Sequence, residues 1–161
     1  MPGTRSLIIL GALALLLAAC GGDSNSGDKH TPVPTATTPP TLSPALANLR
    51  RDYQALSAAQ QAIGTVWENL ATGQQAQCGT YPDVLSPDSI SAEGDSAYEP
   101  LAQLLRRAAI ATDQAVTLWR AECDKERQNP PPDVIDQGRL AARAAGDALR
   151  EAETLLAAIP Q

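Results

Sequence analysis

The sequence predicts an all-α fold, an elongated three-helix bundle with a long loop crossing between the first and second helices. The chain has 161 residues, enough for one domain. Hydrophobic residues make up 43% of it but aromatic residues only 3%, with no Phe. Such a core is aliphatic and small, which suits close-packed helices better than a β-sheet. Three segments also repeat apolar residues at the helical period. We therefore expect a helical bundle at residues 44–161, with helices at about 44–72, 96–128 and 132–159.

The first helix begins at Ser43-Pro44, an N-cap residue followed by proline at the first helical position, and Gly73 ends it. Its apolar residues follow at steps of three and four: Leu46, Leu49, Tyr53, Leu56, Ile63, Trp67 and Leu70. Gln60 stands where this seam lacks an apolar residue. Either Ala59 turns inward and the Gln60 amide reaches water, or Gln60 is a buried polar group that sets the register or contacts a ligand.

The second helix begins near Ser96 and Glu99, whose spacing predicts a capping box. Its apolar stripe is large at both ends and small in the middle, where it contains Ala108, Ala111 and Ala115. Alanine at such positions permits close helix approach.

Three prolines at 130–132 must end the second helix, and the third begins directly after them. Its seam contains Gly138, Ala142 and Ala145, which again favours close contact between helices. At 1.5 Å per residue each helix is about 40 Å long, so the predicted bundle is elongated.

The amino terminus carries an apolar run at residues 7–19 that follows Arg5. This run is short for a membrane span and typical of a signal peptide. It ends in Leu17-Ala18-Ala19-Cys20, which resembles the lipobox of bacterial lipoprotein precursors. The resemblance implies that residues 1–19 are a signal peptide and that Cys20 is lipidated, with acyl chains such as palmitate. An ordinary signal peptide with an incidental Cys20 is the alternative.

Residues 20–43 are expected to form the lipidated Cys20 and a disordered tether, because Gly, Ser, Thr and Pro dominate the segment. A flexible chain of this length spans roughly 25–30 Å. Its Thr-Pro tract is compatible with O-linked sugar. The single His of the chain, His30, lies here, and we interpret it as a solvated linker residue rather than a metal ligand.

Lipidation of Cys20 leaves Cys78 and Cys123 as a pair in a compartment where disulfides persist. A short hairpin would place them at opposite ends of the bundle, whereas bridged Cα atoms lie within about 7 Å. A bond therefore requires the loop to cross the bundle and helices one and two to run parallel, with helix three antiparallel to both. This arrangement brings Trp67 and Trp119 towards one end. Two free thiols or an intermolecular bridge are the alternatives.

The sequence predicts neither an enzyme nor a cofactor or metal site. The lone His30 leaves no Ser-His-Asp set in the bundle, and no Gly-rich phosphate loop is present. The pairs Asp83 with Asp88 and Asp133 with Asp136 are explained as turn formers or helix N-terminal charges. A net charge of −6 argues against binding nucleic acid.

We therefore expect a non-catalytic, lipid-anchored helical module on the extracytoplasmic face of a bacterial membrane. Its partners would be the membrane, through the lipid, and an unidentified protein of the cell envelope. Gly21 rather than Asp follows Cys20, which favours the outer membrane if the organism has one. Candidate interaction or register residues are Gln60, Trp67, Trp119 and Tyr81. The alternative is a carrier of small apolar ligands that uses the Ala- and Gly-lined interior of the bundle.

Overall fold

A computed structural model describes residues 43–126 and 129–160. Three helices account for most of these residues: α1 (Pro44–Ala71), α2 (Glu99–Cys123) and α3 (Pro132–Ala158). Short 3-10 turns at Pro87–Ser89 and Ser96–Tyr98 lie between α1 and α2. The described residues contain no β-strand, and the prediction of an all-α bundle is confirmed. Within the same residues, no helix combines the length and the hydropathy that a transmembrane span requires.

The start of α1 follows from its local sequence. The Ser43 hydroxyl accepts a hydrogen bond from the Leu46 amide at 3.2 Å, and Pro44 occupies the first helical position. The helix ends at Ala71, just before Gly73, whose φ of +78° is a conformation that favours glycine.

The predicted capping box at the start of α2 is wrong. The Asp95 carboxylate accepts a hydrogen bond from the Ala97 amide at 3.1 Å, and Ser96 begins a 3-10 turn that precedes the helix. Glu99, at the first position of α2, forms an ion pair with Arg106 instead of bonding back to the backbone. Because the 3-10 turn at Ser96–Tyr98 precedes α2, the capping side chain is that of Asp95, which lies before this turn.

The second helix also ends earlier than predicted, at Cys123 rather than near residue 128. Turns follow at residues 124–126, and Glu126 has a φ of +58°. This left-handed residue cannot continue the helix. The chain therefore leaves the helical path before it reaches the prolines.

Helices α1 and α2 run parallel, and α3 runs antiparallel to both. The start of α1 packs with the start of α2 and the end of α3 in one core cluster, whose central members are Leu46, Leu49, Leu56, Leu101, Leu105, Ala148 and Leu149. The other ends meet in a second cluster that contains Ile63, Trp67, Leu70, Val116, Trp119, Ala141 and Ala142. The predicted fold class is thus confirmed. The helices run in the directions that a bond between Cys78 and Cys123 requires.

The loop between α1 and α2 crosses the length of the bundle. Tyr81 packs against the second cluster, Val84 contacts both clusters, and Ile90 is buried in the first. The Arg106 guanidinium on α2 donates to the Ile90 carbonyl at 2.8 Å. The crossing loop therefore holds its place through apolar burial and a charge-assisted hydrogen bond.

More of α2 is buried than its predicted stripe contains. Ala109, Thr112 and Val116 are fully or almost fully buried, whereas Ala111 is only half-buried. The Thr112 hydroxyl donates to the Ala108 carbonyl one turn earlier at 2.8 Å. Because α1, α3 and the loop all pack against α2, its buried surface is wider than a single helical stripe.

Candidate functional site

Trp67 on α1 and Trp119 on α2 form an edge-to-face pair in the second cluster. Their ring centroids lie 6.0 Å apart with an interplanar angle of 78°. Both side chains are fully buried. Trp67 Nε1 donates to the Ala115 carbonyl at 3.2 Å, and among the described residues Trp119 Nε1 has no acceptor. Aromatic pairs of this geometry contribute about 0.5–1.5 kcal/mol beyond their buried area.

Gly138 of α3 provides the surface on which the Trp67 ring packs. A Cβ atom added at Gly138 would lie 2.2 Å from Trp67 Cε2. Such a distance is far inside van der Waals contact, so only glycine fits. The space beside Gly138, a small residue of the predicted α3 seam, is thus filled by the Trp67 indole and is not empty.

Gln60 lies half-buried at the contact between α1 and α3. Its Nε2 donates to the Ala142 carbonyl at 3.1 Å, and the neighbouring Ala59 is buried. Added Cβ atoms at Gly64 and Gly146 would lie 3.4 and 3.3 Å from the same nitrogen. Ala59 has turned inward, as one interpretation supposed, while the amide bonds to the backbone of α3. This bond links α1 to α3.

Glu68 on α1 pairs with two arginines of α3. Arg139 donates to its two carboxylate oxygens from Nε and Nη2 at 3.2 and 3.1 Å, and Arg143 adds a contact at 3.3 Å. The hydrogen bond from Arg139 is the main reason why the pKa of Glu68 is lowered. Sequence reasoning missed this cluster, since residues 71 and 75 positions apart give no local signal.

An open groove of about 370 Å³ runs between α1 and α3 beside Glu68. Its lining consists mainly of amide, hydroxyl and charged side chains: Gln60, Gln61, Thr65, Glu68, Asn69, Arg139 and Arg143. Gly64, Trp67 and Ala142 also border it. The groove thus combines hydrogen-bonding side-chain groups with a larger apolar surface, a mixture that is found at protein interfaces.

The disulfide closes the end of the bundle that holds the tryptophans. Cys78 in the crossing loop is bonded to Cys123 at the end of α2, with a Cα–Cα distance of 5.6 Å. Nearby, the Arg120 guanidinium lies 5.0 Å from the Tyr81 ring centroid, a cation–π contact. Glu122 is 3% exposed and pairs with Lys125 at 2.7 Å.

The predicted site residues do not converge on one place. Trp67, Trp119 and Tyr81 share the second cluster with Cys123. Gln60 lies at the contact between α1 and α3, where it and Trp67 both border the groove. Cys20 and His30 are outside the described residues. Within those residues no group of His, Cys, Asp and Glu is placed to hold a metal ion.

The buried alanines of α2 and α3 pack against neighbouring helices. Ala108, Ala115 and Ala145 have no exposed surface, and Trp67 occupies the space beside Gly138. A second open groove of about 470 Å³ lies between α2 and α3 and is bordered by Pro100, Leu104, Arg107, Glu151 and Leu155 among others. These alanines do not line it.

Comparison with protein-family models finds no match, and neither curated proteins nor solved structures give a significant one. The class of protein is therefore defined by its fold, an all-α bundle of three helices with a disulfide-linked crossing loop.

Proposed function

We propose that the chain is a non-catalytic, lipid-anchored module on the extracytoplasmic face of a bacterial membrane, where its bundle binds another envelope protein. The observation that carries the proposal is the Cys78–Cys123 bond. Disulfides persist in oxidising compartments outside the cytoplasm. A disulfide therefore suits a chain whose residues 17–20 resemble a lipobox. A lipid on Cys20 would hold the bundle at the extracytoplasmic face of the membrane.

The groove between α1 and α3 is the surface that we assign to the partner. Trp67 and Trp119 are fully buried, so they shape the bundle and do not reach a partner. Gln61, Thr65 and Arg143 are exposed at the groove and offer an amide, a hydroxyl and a guanidinium. Arg143 contacts Glu68 only at 3.3 Å and retains further donors for a partner's acceptors.

The non-catalytic part of the proposal rests on the sequence, in which the only His stands in the predicted tether. The carrier alternative has less support, because the indole of Trp67 fills the space beside Gly138 and the neighbouring alanines are closely covered. Small residues here serve packing between helices.

Metabolic labelling with palmitate tests the anchor. We expect label in the wild-type chain and in a Cys78→Ala/Cys123→Ala double variant, but none in Cys20→Ala, which should leave the membrane fraction. An unlabelled wild-type chain, together with a Cys20→Ala variant that stays on membranes, would contradict the proposal.

Photo-crosslinking in intact cells tests the partner. A photoreactive side chain at Gln61 or Thr65 should yield the same crosslinked protein, since both positions border the groove. Gln114, exposed on α2 and outside the groove's lining, is the matched control and should not yield it. Equal crosslinking from all three positions, or from none, would remove the groove from the proposal.

A further inference from the structure

At the end of the bundle where the chain enters α1, the first residues of α1 and the last described residues of α3 have no charged side chain, whereas Glu93, Asp95 and Glu99 lie at the same end beside the start of α2. No charged residue occurs at 43–49, before Arg50, or at 154–160, after Glu153. These two segments meet in the first cluster, where Leu46 is buried and Leu156 and Ile159 pack against the core. We refer to residues 43–49 and 154–160 together as the uncharged tip.

The uncharged tip exposes apolar groups. Leu155 is 37% exposed, and Pro44, Ala157, Ala158 and Pro160 are exposed as well. Leu155 also borders the groove that Pro100 and Leu104 line on α2. The preceding turns of α3 carry charges on their exposed positions, namely Asp147, Arg150, Glu151 and Glu153. Contiguous exposed apolar surface marks a contact with protein or membrane.

The chain connection between Cys20 and the uncharged tip favours a contact with the membrane over a contact with another protein. The chain reaches the tip at Ser43, only 23 positions after Cys20 in the sequence. The predicted tether of that length would span roughly 25–30 Å and would keep the attached domain at a high effective concentration near its anchor. The end at which the tether enters is the end that reaches the membrane first. Residues 43–49 and 154–160 have no charged side chain that must lose its hydration there, whereas Glu93 and Asp95, beside the start of α2, must stay in contact with water.

We infer that the uncharged tip rests against the lipid surface, so that the bundle stands on the membrane with its disulfide end directed away from it. This inference rests on the proposed lipid anchor at Cys20. Trp67 lies 23 residues along α1 from Pro44, about 35 Å at 1.5 Å per residue. The tryptophan pair is therefore far from the lipid in this orientation.

Quenching of tryptophan fluorescence by brominated lipid tests the orientation. The lipidated full-length chain is reconstituted in phosphatidylcholine vesicles with and without bromine on the acyl chains. We compare Leu155→Trp, at the tip, with Leu140→Trp, which is 66% exposed and about 22 Å away along the same helix. Pro160→Trp is a second tip variant that alters no buried side chain. The wild-type chain gives the background of Trp67 and Trp119.

We expect Leu155→Trp and Pro160→Trp to lose fluorescence in brominated vesicles, while Leu140→Trp and the wild-type chain keep theirs. An equal loss of fluorescence in Leu140→Trp and Leu155→Trp, or no loss in either of the two tip variants, would overturn the inference. Intact mass separates this outcome from failure of the anchor, because a chain without acyl mass refutes the proposed function before any quenching is measured.

Discussion

The indole of Trp67 lies directly on Gly138, with its Cε2 atom 2.2 Å from where a Cβ would stand. This contact joins α1 to α3 at the level where Trp67 also donates to Ala115 of α2. The Trp67 side chain of α1 thus contacts both α2 and α3. The Trp67 ring can lie this close to α3 because Gly138 has no side chain.

Gly138→Ala is expected to destabilise the bundle because the added methyl group overlaps the Trp67 ring. Overpacking of this kind costs about 1–3 kcal/mol. Urea denaturation followed by circular dichroism measures the free energy of unfolding. Gly64→Ala is the matched control, since its Cβ would meet Gln60 at an ordinary 3.4 Å and alanine favours helix by up to about 1 kcal/mol. A Gly138→Ala chain as stable as Gly64→Ala would contradict the packing described.

Gln60→Ala is expected to lower the free energy of unfolding by about 0.5–1.5 kcal/mol, the usual contribution of one hydrogen bond. The lost bond is the one from Nε2 to the Ala142 carbonyl. Chemical denaturation of Gln61→Ala supplies the comparison, because Gln61 is exposed and its side chain can be truncated at little cost. Equal stability of the two variants would show that the amide does not tie α1 to α3.

Loss of the disulfide is expected to cost about 2–4 kcal/mol, because the bond closes a long loop with a sequence separation of 45. The Cys78→Ala/Cys123→Ala variant should keep its helical content, since Ile90 and Val84 still hold the crossing loop on the core. Thermal unfolding with and without reductant measures the effect on the wild-type chain. A double variant that is unfolded at room temperature would show that the loop depends on the bond alone.

Acid is expected to weaken the cluster of Glu68, Arg139 and Arg143. The hydrogen bond from Arg139 lowers the pKa of Glu68 from its ordinary value of 4.5. A lowered folded-state pKa gives stability that is present above the unfolded pKa and is lost as the pH falls through the folded value. The difference in stability between wild type and Glu68→Gln should therefore shrink towards low pH.

Asp52 provides a control of opposite sign. Burial raises its pKa above 3.8, although Arg51 opposes the shift. Protonation of Asp52 thus favours the folded state, and its contribution is lost as the pH rises through the folded pKa. Asp52→Asn should remove this dependence. Glu68→Gln and Asp52→Asn are each compared with the wild-type chain. If the two differences in stability changed in the same direction as the pH falls, the assignment of these effects to the individual carboxylates would be refuted.

Much of the fold could be predicted because its signals are local or topological. Ser43-Pro44 and Gly73 bound α1 through contacts within a few residues of each. The Cys78 and Cys123 positions predicted that α1 and α2 run parallel, since the bond excludes a short hairpin. The start of α2 was predicted less well because the 3-10 turn at Ser96–Tyr98 competes with a helix cap built from the same residues.

The sequence by itself determined that the chain forms three helices, that a loop must cross them if Cys78 and Cys123 are bonded, and that Gln60 interrupts an apolar seam. Only the tertiary structure decided which carbonyl Gln60 meets, that Glu68 faces Arg139, and that Gly138 lies under Trp67. The periodicity of a helix fixes which residues share a face. The rotation and register between helices choose partners 71 or more positions apart, and these depend on packing of the whole core.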